Sequence, residues 1–169
     1  MRLNYSINYT RIITVLAIVL ICGLLFWSIR RQIKEYYLQD DPVLQKLNRN
    51  FTEFFERRSG TWKQPLEMLN RRNNVMREIQ LFRGDKSYTI NKEKVYICLK
   101  DEQGDYYNEN MLTYVLAHEI SHVICDEIGH TEKFHRIFDA LLKEMIEDEL
   151  YNPSIPIQQN YCENGDPEM

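Results

Sequence analysis

Residues 118 to 122 read His-Glu-Ile-Ser-His. Positions four apart on a helix share a face, so the imidazoles of His118 and His122 can turn toward one metal ion. Zinc suits such ligands. With three protein ligands it keeps one position open, lowers the pKa of a water bound there and polarises a carbonyl. Glu119, beside the first imidazole, is placed to take that water's proton and hand it to a leaving amine. The expected chemistry is zinc-dependent hydrolysis of a peptide bond, with Zn2+ as cofactor, Glu119 as general base and a protein or peptide as substrate. By chance, about one chain in a hundred of this composition would carry the pattern, so spacing alone does not decide. The context weighs more. The motif lies in a helical stretch with Leu112, Val115, Leu116 and Val123, and all four histidines fall between 118 and 135.

The third ligand must come from elsewhere. His130 leads, because Gly129 lets the chain turn and His130 then stands at the mouth of the next helix. His135, five residues on, is the rival, with an exposed helix position as its plainer reading. Glu144 is a further candidate, but it sits in a run with Glu147, Asp148 and Glu149 that reads as a solvated face. Cys125 could face the metal, and a small buried hydrophobe needs no such role. Tyr106, Tyr107, Tyr151 and Tyr161 are open candidates to stabilise an oxyanion, although tyrosines mostly serve packing.

The elements that must position these groups are legible. Leu44, Leu47, Phe51, Phe54 and Phe55 recur at helical spacing and predict an amphipathic helix over 43–58, opened by Pro42 and ended by Ser59-Gly60. Residues 65–76 predict another short helix, with Leu66 and Leu69 inward. Residues 79–83, 88–91 and 94–100 are short runs rich in Ile, Tyr and Val, and predict two or three strands of a small sheet. A helix capped by Asn108 or Asn110 is expected to run to about Cys125. A last helix is expected from Thr131 to about Leu150, with Phe134, Ile137, Phe138, Leu141, Leu142, Met145 and Ile146 as its apolar stripe. The class is α+β.

Residues 12–29 form a run of 18 without a charge, which spans roughly 27 Å as a helix, about the thickness of a bilayer core. Ser28, Ile29, Arg30 and Arg31 follow where a cleavage site of small residues would stand, so an uncleaved anchor is expected rather than a signal peptide. The layout is thus an N-terminal tail over 1–11, a transmembrane anchor over 12–29, a juxtamembrane linker helix over 30–42, the folded domain over 43–150 and a C-terminal tail over 151–169. Arg30, Arg31 and Lys34 outweigh Arg2 and Arg11, which favours a single-pass protein with its domain in the cytosol. Asn4, Asn8 and Asn50 match the glycosylation pattern, which matters only on a lumenal side.

The chain has 169 residues and a net charge of −4. Residues 30–83 carry 12 basic and 7 acidic side chains, and residues 84–169 carry 7 and 18. The first half could be drawn to anionic lipid. The acidic second half weighs against broad nucleic-acid binding, which needs a positive face. Cys22, Cys98, Cys125 and Cys162 are widely spaced and do not read as a disulfide framework, so a reducing compartment is expected.

The stretch His118-Glu-Ile-Ser-His-Val-Ile-Cys-Asp-Glu-Ile-Gly-His130-Thr-Glu-Lys-Phe134 resembles the zinc centre of the SprT/Spartan and WLM-type metallopeptidases. The strand Val95–Leu99, the run Leu112–Ala117 and the terminal Asn160-Tyr161-Cys162 are similar to WLM-like proteins of large DNA viruses and some microbes. The likeness covers about 55 residues, 95 to 150. It implies a minimal zincin-like fold, His130 as third ligand, and a strand edging the cleft that can bind an extended peptide through its main chain. It also implies DNA association, since the best-known members degrade proteins crosslinked to DNA; the charge distribution here does not support that partner. Two other readings stay open at this level: a non-catalytic, zinc-stabilised membrane adaptor, and a structural membrane protein that retains the fold.

Overall fold

The computed structural model describes residues 9–72 and 74–162, with the backbone alone for 10 and 32–39. Asn4, Asn8 and residues 163–169 of the expected tail lie outside them. The chain divides into two compact units, one ending at Tyr37 and the other running from Leu38.

The first unit is built on helix α1, Tyr9–Gln39. Its stretch Arg11–Arg31 is long and apolar enough to cross a membrane by length and composition. At the end of that stretch the guanidiniums of Arg30 and Arg31 lie over the rings of Phe26 and Trp27, at 4.8 and 5.9 Å.

The second unit is α+β, as expected. Helix α2, Pro42–Arg57, starts where Pro42 supplies a preset φ and Asp41 accepts from the backbone N–H groups of Val43 and Leu44. Leu44, Leu47, Phe51, Phe54 and Phe55 are all buried. Gly60, at a positive φ, turns the chain away, and Trp62 packs edge-on against Phe54. The helix expected over 65–76 is instead two pieces, a 3-10 turn at Glu67–Arg71 and the single turn α3, Val75–Glu78. Asn74 caps the second: its side chain accepts from Met76 N–H and donates to the carbonyl of Thr52. Leu66 and Leu69 are buried nonetheless.

Three strands follow: β1 Gln80–Gly84, β2 Tyr88–Ile90 and β3 Lys94–Cys98. Their order in space is β1-β3-β2, with β1 parallel and β2 antiparallel to β3. Asn91 and Lys92 both take positive φ and Glu93 N–H closes on Ile90 C=O at 3.1 Å, so β2 and β3 form a hairpin with a tight two-residue turn. β2 is an edge strand and pairs with β3 alone in the sheet.

Helix α4, Glu109–Ile124, is capped by Asn108, whose side chain accepts from Met111 N–H at 2.8 Å. Most of its length is buried, because it packs on β2 and β3 with one side and on α5, Glu132–Glu147, with another. That accounts for its near-continuous apolar sequence, against the clear stripe of α5. Burying Leu112, Val115, Leu116, Ala117 and Ile120 anchors α4 firmly, at about 1.5–3 kcal/mol for each large side chain.

The cysteine reading is corrected here. Cys98, at the end of β3, is disulfide-bonded to Cys162, 64 residues later. Wide spacing hid a pair that the sheet brings together, and the bond does not match the reducing compartment expected from the cysteine pattern. The irregular tail is consequently tied into the domain. Tyr161 OH donates to Cys98 C=O at 2.5 Å and lies 2.8 Å from Ser87 Oγ, while Cys162 N–H donates to Tyr107 OH at 2.9 Å.

Candidate metal centre

His118 and His122 stand one turn apart near the end of α4, with edge-to-face rings 5.0 Å apart. The helix stops at Cys125, whose backbone leaves the helical region. The exposed loop 126–129 follows, and Gly129 at φ 81° makes the reversal a side chain would strain. Thr131 then caps α5, its Oγ1 accepting from Phe134 N–H. His130 is held between that turn and that cap.

The result is a convergence of three Nε2 atoms. His130 Nε2 lies 2.9 Å from His118 Nε2 and 3.1 Å from His122 Nε2, and all three fit within 4.8 Å. An imidazole nitrogen carries either one proton or one in-plane lone pair. His130 Nε2 therefore cannot make good hydrogen bonds to both neighbours, and the three histidines form a group that could hold a metal ion. Nitrogens on a tetrahedral zinc at about 2.0–2.1 Å sit roughly 3.3–3.4 Å apart, so the two contacts of His130 would open by a few tenths of an ångström around such an ion. Phe134 holds the rings in place: it stacks on His122 at 4.3 Å and meets His118 and His130 edge-on at 4.9 and 4.8 Å.

Electrostatics prepares the ligands. Burial, then its histidine neighbours, lowers the His118 pKa to about 3. Burial, then His130 and Lys92, lowers that of His122 to about 4. Both are neutral at ordinary pH, as ligands must be.

Glu119 is 4 % exposed. Burial raises its pKa to about 7, against the opposing pull of a hydrogen bond from Thr89 Oγ1 to Oε2 at 2.7 Å. A carboxyl poised near neutrality can both accept and return a proton. It lines an open cleft of about 490 Å³ with the three histidines, Tyr88 and Thr89 of β2, Lys92 and Ile128 on one rim, and Tyr161 and Cys162 of the tail.

The other candidates fall outside. His135 is exposed, with its ring 6.3 Å from that of His130, and it does not join the ligand group. Glu144 pairs with Arg58 on the α2–α5 side of the domain. Cys125 is fully buried and free, and its carbonyl accepts from Lys92. Among the tyrosines proposed from the sequence, Tyr161 alone borders the cleft, and its hydroxyl is already engaged by Ser87 and Cys98. The sequence reading missed Thr89. Its position in a three-residue strand carried no signal, because only the packing of β2 on α4 brings it to Glu119.

No family profile matches the chain, and no solved structure matches it. Three viral proteins do. "Uncharacterized protein 136R" of Invertebrate iridescent virus 6 is 50% identical over 100 residues, 57% of this chain and 56% of that protein. "Uncharacterized protein 042R" of Invertebrate iridescent virus 3 is 38% identical over 110 residues, 64% of this chain and 69% of that protein. "Uncharacterized protein R325" of Acanthamoeba polyphaga mimivirus is 30% identical over 125 residues, 70% of this chain and 57% of that protein. The chain thus spans just over half the length of the first and third.

Proposed function

The chain belongs to the same family as protein 042R of Invertebrate iridescent virus 3, and we propose that its folded domain is a zinc-dependent endopeptidase of the minimal zincin type, tethered to a membrane by α1. The observation that carries this reading is the meeting of the Nε2 atoms of His118, His122 and His130 beside a buried carboxyl in an open cleft. Three imidazoles with neither a thiolate nor a second carboxylate suit zinc. When bound, the metal supplies a Lewis acid that acidifies water and polarises a carbonyl.

The protein's own groups do the rest. Glu119 takes the proton from the attacking water and returns it to the departing amine nitrogen as the C–N bond breaks. The free edge of β2 borders the cleft and offers main-chain donors and acceptors to an extended peptide. Two side chains that could close a fourth coordination position, Cys125 and His135, lie outside the ligand group, which supports catalysis over a purely structural metal. The disulfide favours an oxidising side of the membrane over the cytosolic side that the flanking charges suggest.

The test is Glu119→Gln in the zinc-loaded protein, assayed on a broad peptide library with metal quantified in parallel. Retained zinc with cleavage reduced at least about a hundredfold is expected. Undiminished cleavage in that variant removes Glu119 from the chemistry, and a purified wild-type protein that takes up no zinc removes the metal.

A further inference from the structure

β2 has three residues, and its alternation gives each face a different role. Tyr88 and Ile90 are exposed, and the Tyr88 ring stacks on Tyr96 at 4.7 Å. Thr89, between them, points the other way, toward α4. Its Oγ1 stands 2.7 Å from Glu119 Oε2 and 3.2 Å from the Glu119 carbonyl oxygen. A hydroxyl has one hydrogen, and the shorter contact, to a carboxylate, takes it. Oε2 is thereby occupied on the strand side. Glu119 lines the cleft, and no buried side-chain oxygen or nitrogen lacks a partner among the described residues, so Oε1 is left facing cleft space.

We propose that Thr89 is the positioning residue for the Glu119 carboxylate, a tie from the edge strand that fixes which oxygen faces the reacting water. This rests on the peptidase reading for its consequence in turnover, and on geometry alone for the tie itself. The tie joins the two parts of the site that must act together. The strand whose free edge would carry the peptide also holds the base, so a peptide seated on β2 is registered against Oε1 through one side chain. Threonine suits this role, since branching at Cβ restricts its χ1 and its hydroxyl cannot ionise or compete for the metal at neutral pH.

The experiment compares wild type, Thr89→Val and Thr89→Ser as zinc-loaded full-length proteins, each with metal affinity, kcat and KM. Valine keeps the shape and removes the donor; serine keeps the donor. Expected are unchanged zinc affinity, KM within about twofold, and kcat lowered some ten- to hundredfold in Thr89→Val, the scale of loss when a catalytic group is misplaced. Thr89→Ser should recover most of it. A Thr89→Val kcat within twofold of wild type overturns the proposal, as does an equal loss in both variants, which would mark a packing role.

A second readout needs neither metal nor turnover. In metal-free protein at pH 8, the denaturation midpoint of the folded domain should drop on Thr89→Val, and the same change in a Glu119→Leu background should leave it unmoved or raised. Equal drops in the two backgrounds overturn the tie. Coupling in this cycle with no cleavage by any variant would keep the tie and discard the peptidase reading, so the two failures are separable.

Discussion

The bond between Cys98 and Cys162 gives the sharpest quantitative test of the fold. It closes a loop of 64 residues, and the chain-entropy treatment then gives about 4 kcal/mol of stabilisation at 25 °C. A domain of this size has roughly 5–15 kcal/mol in total, so opening the bond should remove a large share. The loss should not be complete. Neither cysteine lies on α2, α4 or α5, and the tail keeps the hydrogen bonds of Tyr161 to Ser87 and Cys98 and of Cys162 to Tyr107. The perturbation is the pair Cys98→Ala and Cys162→Ala, measured by urea unfolding on residues 38–169, which form a compact unit of their own. The expected result is a drop of about 3–4 kcal/mol with a similar slope. Zinc affinity should be unaltered, because all three ligands lie on α4 and the turn into α5. Binding of a peptide in the cleft should weaken, since Tyr161 and Cys162 are part of its wall. A change below about 1 kcal/mol would refute the entropic reasoning. Alkylation of all four cysteines in the denatured, unreduced full-length protein would refute the pairing itself.

The ligand set predicts that His130→Ala lowers zinc affinity by at least about a hundredfold in a chelator competition, while His135→Ala leaves it within a factor of two; equal effects would overturn the assignment of the third ligand. Metal-free protein should lose stability as pH falls from about 6.5 toward 4. Folded His118 and His122 resist protonation down to about 3 and 4, so only the unfolded chain binds those protons, while Glu119, whose folded pKa is raised to about 7, takes up its proton in the folded state and offsets part of the loss; the net loss by about pH 4 should be a few kcal/mol, and urea midpoints unchanged between pH 7 and 4 would contradict it. Gly129→Ala strains a residue at φ 81° that has open space around it. It should cost about 1–2 kcal/mol and weaken zinc binding by displacing His130, with circular dichroism otherwise unchanged; tight zinc binding in that variant would show that the turn does not set the ligand.

Features that depend on local periodicity and covalent spacing can be read from the amino-acid order alone. A charge-free run of 18 residues, the apolar rows of α2 and α5 and the i,i+4 histidines of α4 are all readable along the chain, because each is set by neighbours within a few residues. His130 was legible for the same reason: Gly129 marks the turn, and the cap of α5 fixes the start of the next helix. The meetings of groups far apart in the chain arise from the packing of the domain. Thr89 meets Glu119 across 30 residues because β2 packs on α4. Cys98 meets Cys162 across 64 because the tail folds back on the end of β3. His135 and Glu144 are excluded by where α5 turns its faces, a matter of packing that spacing cannot express. Burial, too, is a property of the assembled domain. It makes Glu119 a near-neutral acid rather than an ordinary surface carboxylate, and no count along the sequence contains it.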